Sequence, residues 1–195
     1  TVPFLEAIQN SEIKTNMDIL KKHYPKDKQW NFTIDVLKKI GYDFDAGRQD
    51  LSTHPFTIGL HPHDVRVTTR IDENFVADAI SSSVHEGGHA LYEQGLLPDY
   101  YGTPLCAATS LGVHESQSRL WENMVGKSKA FWKYFYPKLQ KLFSENLKSV
   151  SFDDFYKSFN HIEPGFIRVD ADEVTYNLHI IVRYEIERDV IANNI

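Results

Sequence analysis

The five residues His85-Glu86-Gly87-Gly88-His89 constrain this chain more than any other feature of its sequence. Two histidines four positions apart on a helix project from the same face, so His85 and His89 can bind one zinc ion. Glu86 lies between them and is placed to act as general base on a water that the metal activates. The pattern therefore predicts a helix that carries the metal centre of a zinc peptidase.

A carboxylate further along the chain is expected as the third ligand, because two histidines and one glutamate leave a metal position open for chemistry. Glu93 follows His89 by one helical turn and is too close to reach the same ion. Glu115 and Glu122 both stay open as candidates, since they lie seven residues apart on roughly the same face of a second helix. A surface ion pair with Arg119 is the alternative role for Glu115.

Two adjacent glycines lie inside the helix that the motif predicts. Each glycine costs a helix interior ~1 kcal/mol relative to alanine. Gly87 and Gly88 therefore indicate that another chain segment or a substrate lies close against the backbone of this helix.

The composition is that of an ordinary folded domain. The 195 residues are 42% hydrophobic and 25% charged, which suits one domain over residues 1–195 with a sizeable core. A net charge of −6 excludes the basic surface that nucleic-acid binding requires. The single cysteine, Cys106, excludes an internal disulfide and favours a cytoplasmic location. The apolar runs are far shorter than the ~20 residues that span a bilayer, so we expect no membrane segment.

The spacing of the apolar residues predicts a mainly helical chain with one β-hairpin. Residues 56–60 and 65–71 alternate apolar and polar side chains, which is typical of half-buried strands. Gly41 is the predicted C-terminal cap of the second helix, and Pro137 is expected to kink or split the helix that contains it. The predicted helices cover residues 1–23, 27–40, 72–95, 105–125, 128–147, 151–159 and 171 onward.

Five short motifs follow one another along the chain: His54-Pro55-Phe56, Asp64-Val65-Arg66-Val67-Thr68, His85-Glu86-Gly87-Gly88-His89, His114-Glu115-Ser116-Gln117 and Ile167-Arg168-Val169-Asp170-Ala171-Asp172-Glu173. In this order they resemble the carboxypeptidase Taq family of metallocarboxypeptidases, over most of the chain and most strongly from about residue 54 to residue 187. The resemblance implies that His85, His89 and Glu115 bind the metal and that Glu86 is the general base.

The resemblance also implies a fold and an activity. The family fold is mainly helical, similar to neurolysin and angiotensin-converting enzyme, with a deep groove and a small sheet along one wall. Its members remove single residues from peptide C-termini, use zinc or in some members cobalt, and tend to form homodimers. We therefore expect a helical zincin-type fold with a small β-hairpin or sheet beside the active site, peptide substrates with a free C-terminus, and a homodimer.

An exopeptidase of this kind must hold the free carboxylate of its substrate, and the planar fork of an arginine does so through two charge-assisted hydrogen bonds. The candidate arginines are Arg66, Arg70, Arg168 and Arg183. Arg168 lies in the last family motif and is the predicted substrate contact, with an ion pair to Asp170 or Asp172 as the alternative. Arg66 either contacts substrate or braces the hairpin.

The histidines outside the metal motif also have alternative roles. His54 is a candidate donor to the tetrahedral oxyanion, against a purely structural role beside Pro55. Four other histidines are expected to support neighbouring residues or the fold: His61, His63, His114 and His179.

The chain departs from the family at its ends. It lacks the family's C-terminal Gln-Asp-x-His-Trp motif, covers less than half of a family length, and begins at Thr1 without an initiator methionine or a leader segment. We therefore expect the central catalytic part of a longer metallocarboxypeptidase, without a secretory signal. A zinc endopeptidase or dipeptidase and a catalytically inert metal-binding fragment are the alternative hypotheses.

Overall fold

A computed structural model describes residues 1–193, and the chain forms two compact units. The larger unit is Met17–Phe159, and the smaller unit combines Thr1–Asn16 with Asn160–Ile195. The single domain expected over residues 1–195 stays a prediction. Across residues 1–193, no helix has both the length and the apolar character that crossing a membrane requires.

The protein is mainly helical with a small sheet, as predicted. The helices of the described residues are α1 (Val2–Gln9), α2 (Lys26–Ile40), α3 (Val76–Gln94), α4 (Leu111–Arg119), α5 (Lys129–Leu142), α6 (Ser144–Leu147), α7 (Phe152–Phe159) and α8 (Tyr176–Ile191). A π-helical segment, Leu120–Val125, continues α4 directly. The strands are β1 (Gln49–Leu51), β2 (Thr57–His61) and β3 (Asp64–Thr69).

The predicted hairpin is confirmed, and a third strand joins it. β2 pairs antiparallel with β3, and β1 pairs parallel with the other edge of β3, so that both Thr57 and Gln49 are partners of Val67. Val65 and Val67 are buried while Arg66 between them is exposed, which is the alternation of a half-buried strand. The strand order β1-β3-β2 leaves β2 at an edge of the sheet.

The end of α2 follows from its sequence. Gly41 adopts a φ of 108°, in the left-handed region that glycine enters without steric cost, and so caps the helix as predicted. The N–H of Tyr42 then donates a hydrogen bond to the carbonyl oxygen of Leu37 at 3.0 Å. Phe32, Val36 and Leu37 lie buried along one face of α2, which docks that face into the core.

The larger unit has a main hydrophobic cluster of aromatic side chains. Trp132 of α5 is fully buried, and its ring centroid lies 4.7 Å from that of Phe155 and 4.4 Å from that of Phe159, both on α7. Aromatic pairs at such distances add stabilisation beyond the apolar area that they bury. The predicted aromatic helix is therefore the centre of the core.

A second cluster joins α2, α3 and β3. It contains the buried side chains of Leu37, Val67 and Ala90. Ala90 directly follows His89, so α3 packs against both α2 and the sheet at the residues of the metal motif.

The helix predicted over residues 1–23 is wrong in extent, because α1 ends at Gln9. Beyond Asn10, the Ser11 hydroxyl accepts the N–H of Ile13 at 3.1 Å. Local side-chain hydrogen bonds of this kind compete with the continuation of a helix.

α3 and α8 begin later than predicted, at Val76 and Tyr176 rather than at residues 72 and 171. Asp72 Oδ1 accepts the N–H of Asn74 at 2.8 Å, and Asp172 Oδ1 does the same for the residue two positions on. Each aspartate therefore holds a turn in front of its helix.

The boundaries of α4 and α5 also follow local signals. α4 begins just after Ser110, whose hydroxyl accepts the N–H of Val113 as an N-terminal cap, while Pro104–Cys106 forms a separate short turn. α5 continues through Pro137, so a split at this proline is wrong, and the break before α6 lies at Phe143. The buried aromatic face of α5 maintains the helix across the proline.

Candidate metal centre

α3 and α4 bring together the three side chains predicted as metal ligands. The Nε2 atoms of His85 and His89 lie 3.8 Å and 3.4 Å from Glu115 Oε2. One ligand atom from each of the three residues lies within 4.8 Å of the others. Two ligands at ~2.1 Å from a tetrahedral metal are ~3.4 Å apart. The three atoms therefore have the spacing and the N and O chemistry that a divalent metal requires.

The two glycines of the motif allow neighbouring helices to approach α3 closely. A Cβ atom on Gly88 would lie 2.7 Å from Ser118 Cα and 3.0 Å from the Gln117 carbonyl oxygen, both on α4. A Cβ atom on Gly87 would lie 2.6 Å from the end of the Leu37 side chain on α2. The predicted close chain segment is therefore confirmed on both sides of the helix.

The second candidate carboxylate, Glu122, contacts the opposite edge of the His85 ring. His85 Nδ1 donates to Glu122 Oε2 at 2.8 Å, which leaves the lone pair of Nε2 facing Glu115. Arg119 Nη1 donates to the same Glu122 oxygen at 2.9 Å, and its Nε donates to Glu115 Oε1 at 3.1 Å. Arg119 thus contacts both of the carboxylates that the sequence left open as candidates for the third metal ligand.

His89 is contacted at its other ring nitrogen by a second histidine. His89 Nδ1 lies 2.5 Å from His114 Nδ1, and His114 Nε2 lies 2.7 Å from Glu93 Oε1. His114 thus supports a neighbour, as expected, and Glu93 adjoins the site but is not one of the three residues whose ligand atoms converge. Both histidine rings of the motif therefore have a hydrogen-bond partner on their Nδ1 side.

The charges in this site shift the pKa values of its acids and of His85. The contact with His89, opposed by burial and aided by the charges of His85 and Arg119, lowers the pKa of Glu115 to about 2. Burial disfavours the charged form of His85, but the hydrogen bond to Glu122 and the nearby carboxylates outweigh it and raise the pKa above 6.5. Burial also opposes ionisation of Glu122, yet His85 and Arg119 lower the pKa of this carboxyl. The two carboxylates are therefore charged at neutral pH, as metal binding requires.

Glu86 is buried and is held by the sheet. The Thr57 hydroxyl on β2 lies 2.7 Å from Glu86 Oε2 and 3.0 Å from the Glu86 carbonyl oxygen. A single threonine therefore fixes both the backbone and the carboxylate of the predicted general base. The predicted hairpin thus lies beside this part of the motif.

Two of the predicted substrate contacts lie in the larger unit. Arg66 donates two hydrogen bonds to Asp64, at 2.8 Å and 2.9 Å, and both side chains lie at the surface. This pair favours the interpretation that Arg66 braces the hairpin. His54 is exposed, and its carbonyl oxygen accepts the Ser52 hydroxyl at 2.7 Å. The substrate roles of both residues stay predictions.

Arg168 lies in the smaller unit. Its Nη1 donates to the Tyr176 hydroxyl at 2.9 Å, and the guanidinium lies 5.7 Å from the centroid of that ring. Asp172 is one of the alternative partners, but each of its carboxylate oxygens accepts a hydrogen bond from a backbone N–H group. The Asp170 side chain, the other alternative, lies outside the described residues. The contact of Arg168 with substrate stays a prediction.

Three residues of this site were not assigned to it from the sequence. Thr57 is part of an ordinary strand pattern, and Glu93 was considered only as a ligand. Arg119 was considered only as a surface partner of Glu115. A helical spacing of four links Glu93 to His89 and Arg119 to Glu115, and this spacing is the signal that could have found them.

A helical fold in which one helix carries the HExxH pair and a neighbouring helix supplies a glutamate is that of a zincin-like metallopeptidase. The chain belongs to the carboxypeptidase Taq (M32) metallopeptidase family, whose model matches residues 1–195. The family resemblance carried by the five sequence motifs is thereby confirmed.

Individual relatives agree with this assignment. The chain is 50% identical over 183 residues to thermostable carboxypeptidase 1 of Thermus thermophilus, a match that covers 94% of this chain and 36% of the relative. It is 44% identical over 194 residues to carboxypeptidase 1 of Bacillus subtilis, covering 100% of this chain and 39% of the relative. The crystal structure of the M32 carboxypeptidase from Deinococcus radiodurans R1 matches with a TM-score of 0.94 at 46% identity, over 100% of this chain and 39% of that chain. The chain thus spans little more than a third of the length of these relatives.

Proposed function

We propose that this chain is the catalytic part of a longer metal-dependent carboxypeptidase, which hydrolyses residues from the C-termini of peptides. The observation that carries the proposal is the convergence of His85 Nε2 and His89 Nε2 on Glu115 Oε2. Membership of the carboxypeptidase Taq family supports the reaction class. In this proposal the three side chains are the metal ligands.

Zinc is the proposed metal, with cobalt as the alternative. Two imidazoles and one carboxylate form a ligand set that catalytic zinc sites use, and they leave a position open. A divalent metal bound there supplies Lewis-acid chemistry, which polarises a carbonyl group and makes water nucleophilic near neutral pH.

Glu86 is the proposed general base. It takes a proton from the attacking water and passes it to the leaving amine. Thr57 binds one of the two carboxylate oxygens, so the other can receive the proton while the side chain keeps its orientation. The burial of Glu86 keeps bulk water away from this proton.

Arg168 is the proposed contact for the substrate's terminal carboxylate, because a guanidinium can donate two parallel hydrogen bonds to it. His54 is the proposed donor to the oxyanion. Arg66 is a further proposed substrate contact, which requires that the substrate carboxylate replace Asp64 as the acceptor of its hydrogen bonds. We also propose a homodimer in the cytoplasm. The family resemblance supports the homodimer, and the single Cys106 supports the compartment.

Two measurements on matched variants test the metal and the base separately. Metal content after dialysis is expected near one ion per chain in the parent and in Glu86→Gln, and lost in Glu115→Ala. Turnover of an N-blocked peptide is expected to fall at least ~100-fold in Glu86→Gln, because general-base catalysis contributes that much. Glu185→Gln, an exposed glutamate on α8, is the control for both measurements.

The products distinguish the peptidase classes. A carboxypeptidase releases free amino acids one at a time from the C-terminus, whereas an endopeptidase releases peptides. Near-normal turnover in Glu86→Gln contradicts the assigned base. A parent chain without metal contradicts the ligand assignment.

A further inference from the structure

We infer that Glu93 and His114 are positioning residues that hold His89 in the tautomer and ring orientation that metal binding requires. The inference rests on the metal function proposed above. It is carried by a continuous row of contacts across α3 and α4. Glu93 Oε1 lies 2.7 Å from His114 Nε2, His114 Nδ1 lies 2.5 Å from His89 Nδ1, and His89 Nε2 lies 3.4 Å from Glu115 Oε2.

The chemistry of the row fixes the position of each proton. A carboxylate can only accept, so His114 donates to Glu93 through Nε2. A neutral His114 then has a bare Nδ1, which accepts the Nδ1–H of His89. His89 therefore keeps the lone pair on Nε2, the nitrogen that faces Glu115. The opposite arrangement, with a proton on Nε2 of His89, blocks the ligand atom.

The position of these residues makes the row rigid. Glu93 follows His89 by one turn of α3, and His114 directly precedes Glu115 on α4. The side chains of Glu93, His114 and His89 are each no more than one fifth exposed, which shields their hydrogen bonds from water. The Tyr92 ring lies 5.2 Å from that of His114 in an edge-on contact.

β2 determines where the Glu93 carboxylate can lie. A Cβ atom on Gly59 would lie 2.6 Å from Glu93 Oε2 and 2.9 Å from Glu93 Cδ. The clash is with the end of a flexible side chain, and Gly59 is not among the glycines of positive φ. Alanine at this position is therefore expected to keep the strand while it displaces the carboxylate from His114.

The row supports His89 differently from the support given to His85. His85 donates directly to the Glu122 carboxylate, whereas His89 reaches its carboxylate through a second imidazole. Groups that orient a metal-binding histidine typically change metal affinity 10–100-fold when they are removed. We therefore expect a large loss of affinity from residues that do not touch the metal.

The test is zinc affinity, measured on the full chain by competition with a chromophoric chelator. Glu93→Gln and His114→Phe are expected to weaken zinc binding by ~10–100-fold. Gly59→Ala is expected to weaken it in the same direction, although every residue of the row is retained. Gly59→Ala should add little to Glu93→Gln, because both changes disrupt the same contact. Glu145→Gln, an exposed glutamate outside the row, is the control and should leave the affinity unchanged.

A spectroscopic measurement tests the tautomer without metal. Proton–nitrogen correlation spectra of the metal-free chain should place the proton of His89 on Nδ1 and that of His114 on Nε2, with the His89 pattern lost in Glu93→Gln. A proton on Nε2 of His89 in the parent overturns the inference, as does unchanged zinc affinity in folded Glu93→Gln and Gly59→Ala. A parent chain that binds no zinc overturns the proposed function instead, and the spectra still decide the role of the row.

Discussion

The two carboxylates of the candidate metal centre contact different ring nitrogens. Glu115 faces the Nε2 atoms of both histidines, whereas Glu122 accepts from Nδ1 of His85. Arg119 contacts both carboxylates and neutralises part of their charge. Because Glu115 and Glu122 have different contacts, substitutions of these two residues are expected to change metal binding to different extents, although they are only seven positions apart.

Glu122→Gln is expected to weaken zinc binding by ~10–100-fold, whereas Glu115→Ala is expected to abolish it. The glutamine can still accept from His85 Nδ1, but it loses the charge that stabilises the histidine and pairs with Arg119. Chelator competition on both variants checks the expectation, with the exposed Glu145→Gln as control. Equal losses in the two site variants would contradict separate roles.

Thr57→Val is expected to reduce kcat while metal content and KM stay unchanged. Valine has the shape of threonine but leaves the buried Glu86 oxygen without its hydrogen bond. A hydrogen bond to a charged group is worth about 1.5–3 kcal/mol, which corresponds to a loss of roughly 10- to 100-fold. Steady-state kinetics measure the loss, and Thr57→Ser should restore most of the rate. Failure of serine to restore it would mean that the hydroxyl is not the active feature.

The residues of the candidate metal centre were predictable to different degrees. His85, Glu86 and His89 follow from their spacing on one helix, which depends on local geometry alone. The choice between Glu115 and Glu122 was left open by spacing, because it depends on how two helices pack and on the π-helical segment that contains Glu122. π-helical turns are frequent at functional sites but have no simple sequence signature.

At the scale of the elements, the centre depends on the close approach of α3 and α4. Gly88 lies against the backbone of α4, whereas Gly87 lies against the ends of side chains on α2. Backbone atoms cannot move without shifting a helix, but a side chain can adopt another rotamer. The two neighbouring glycines therefore form a matched pair for an experiment on helix packing.

Gly88→Ala is expected to destabilise the fold by about 1–3 kcal/mol and to weaken zinc binding, because it forces α4 and Glu115 away from the histidines. Gly87→Ala gains ~1 kcal/mol of helix propensity, which offsets a clash with side-chain ends that can move. Urea unfolding and chelator competition on both variants measure the two effects. If Gly87→Ala lowers zinc affinity more than Gly88→Ala does, the backbone contact at Gly88 is not what positions Glu115.

The elements themselves were largely predictable. The hairpin of β2 and β3 and the capped end of α2 follow from alternation and from Gly41. β1 was missed, because three residues, Gln49–Leu51, are too few to show a period and their pairing with β3 is a tertiary contact. The end of α1 at Gln9 was missed for a different reason. A local hydrogen bond at Ser11 competes with the helix, although the helical pattern continues past this point.

At the scale of the whole molecule, metal binding and folding are linked. The proposed ligands come from α3 and α4, which an unfolded chain does not hold together, so a metal that binds them stabilises the folded state. At a free metal concentration 100 times Kd the stabilisation is about 2.7 kcal/mol. Zinc is therefore expected to raise Tm, and a chelator is expected to reverse the change.

This stabilisation should grow as pH rises, and the reason lies in His85. Its pKa is raised above 6.5 in the metal-free fold, so its protonated form stabilises that fold below 6.5, a contribution lost as pH increases through the raised pKa. A metal needs the deprotonated ring and gains affinity over the same range. Glu115, with a pKa of about 2, stays ionised throughout and adds no pH dependence there.

The difference in Tm between zinc-loaded and chelator-treated chain is therefore expected to be small near pH 5 and to increase toward pH 8, the range in which histidines titrate. Thermal unfolding monitored by circular dichroism across this range measures it. Glu115→Ala should remove the difference at every pH, because it removes the third ligand while His85 still titrates. A zinc effect that is constant with pH, or that is larger at low pH, would show that His85 does not exchange its proton for the metal, and the ligand set would then have to be reassigned.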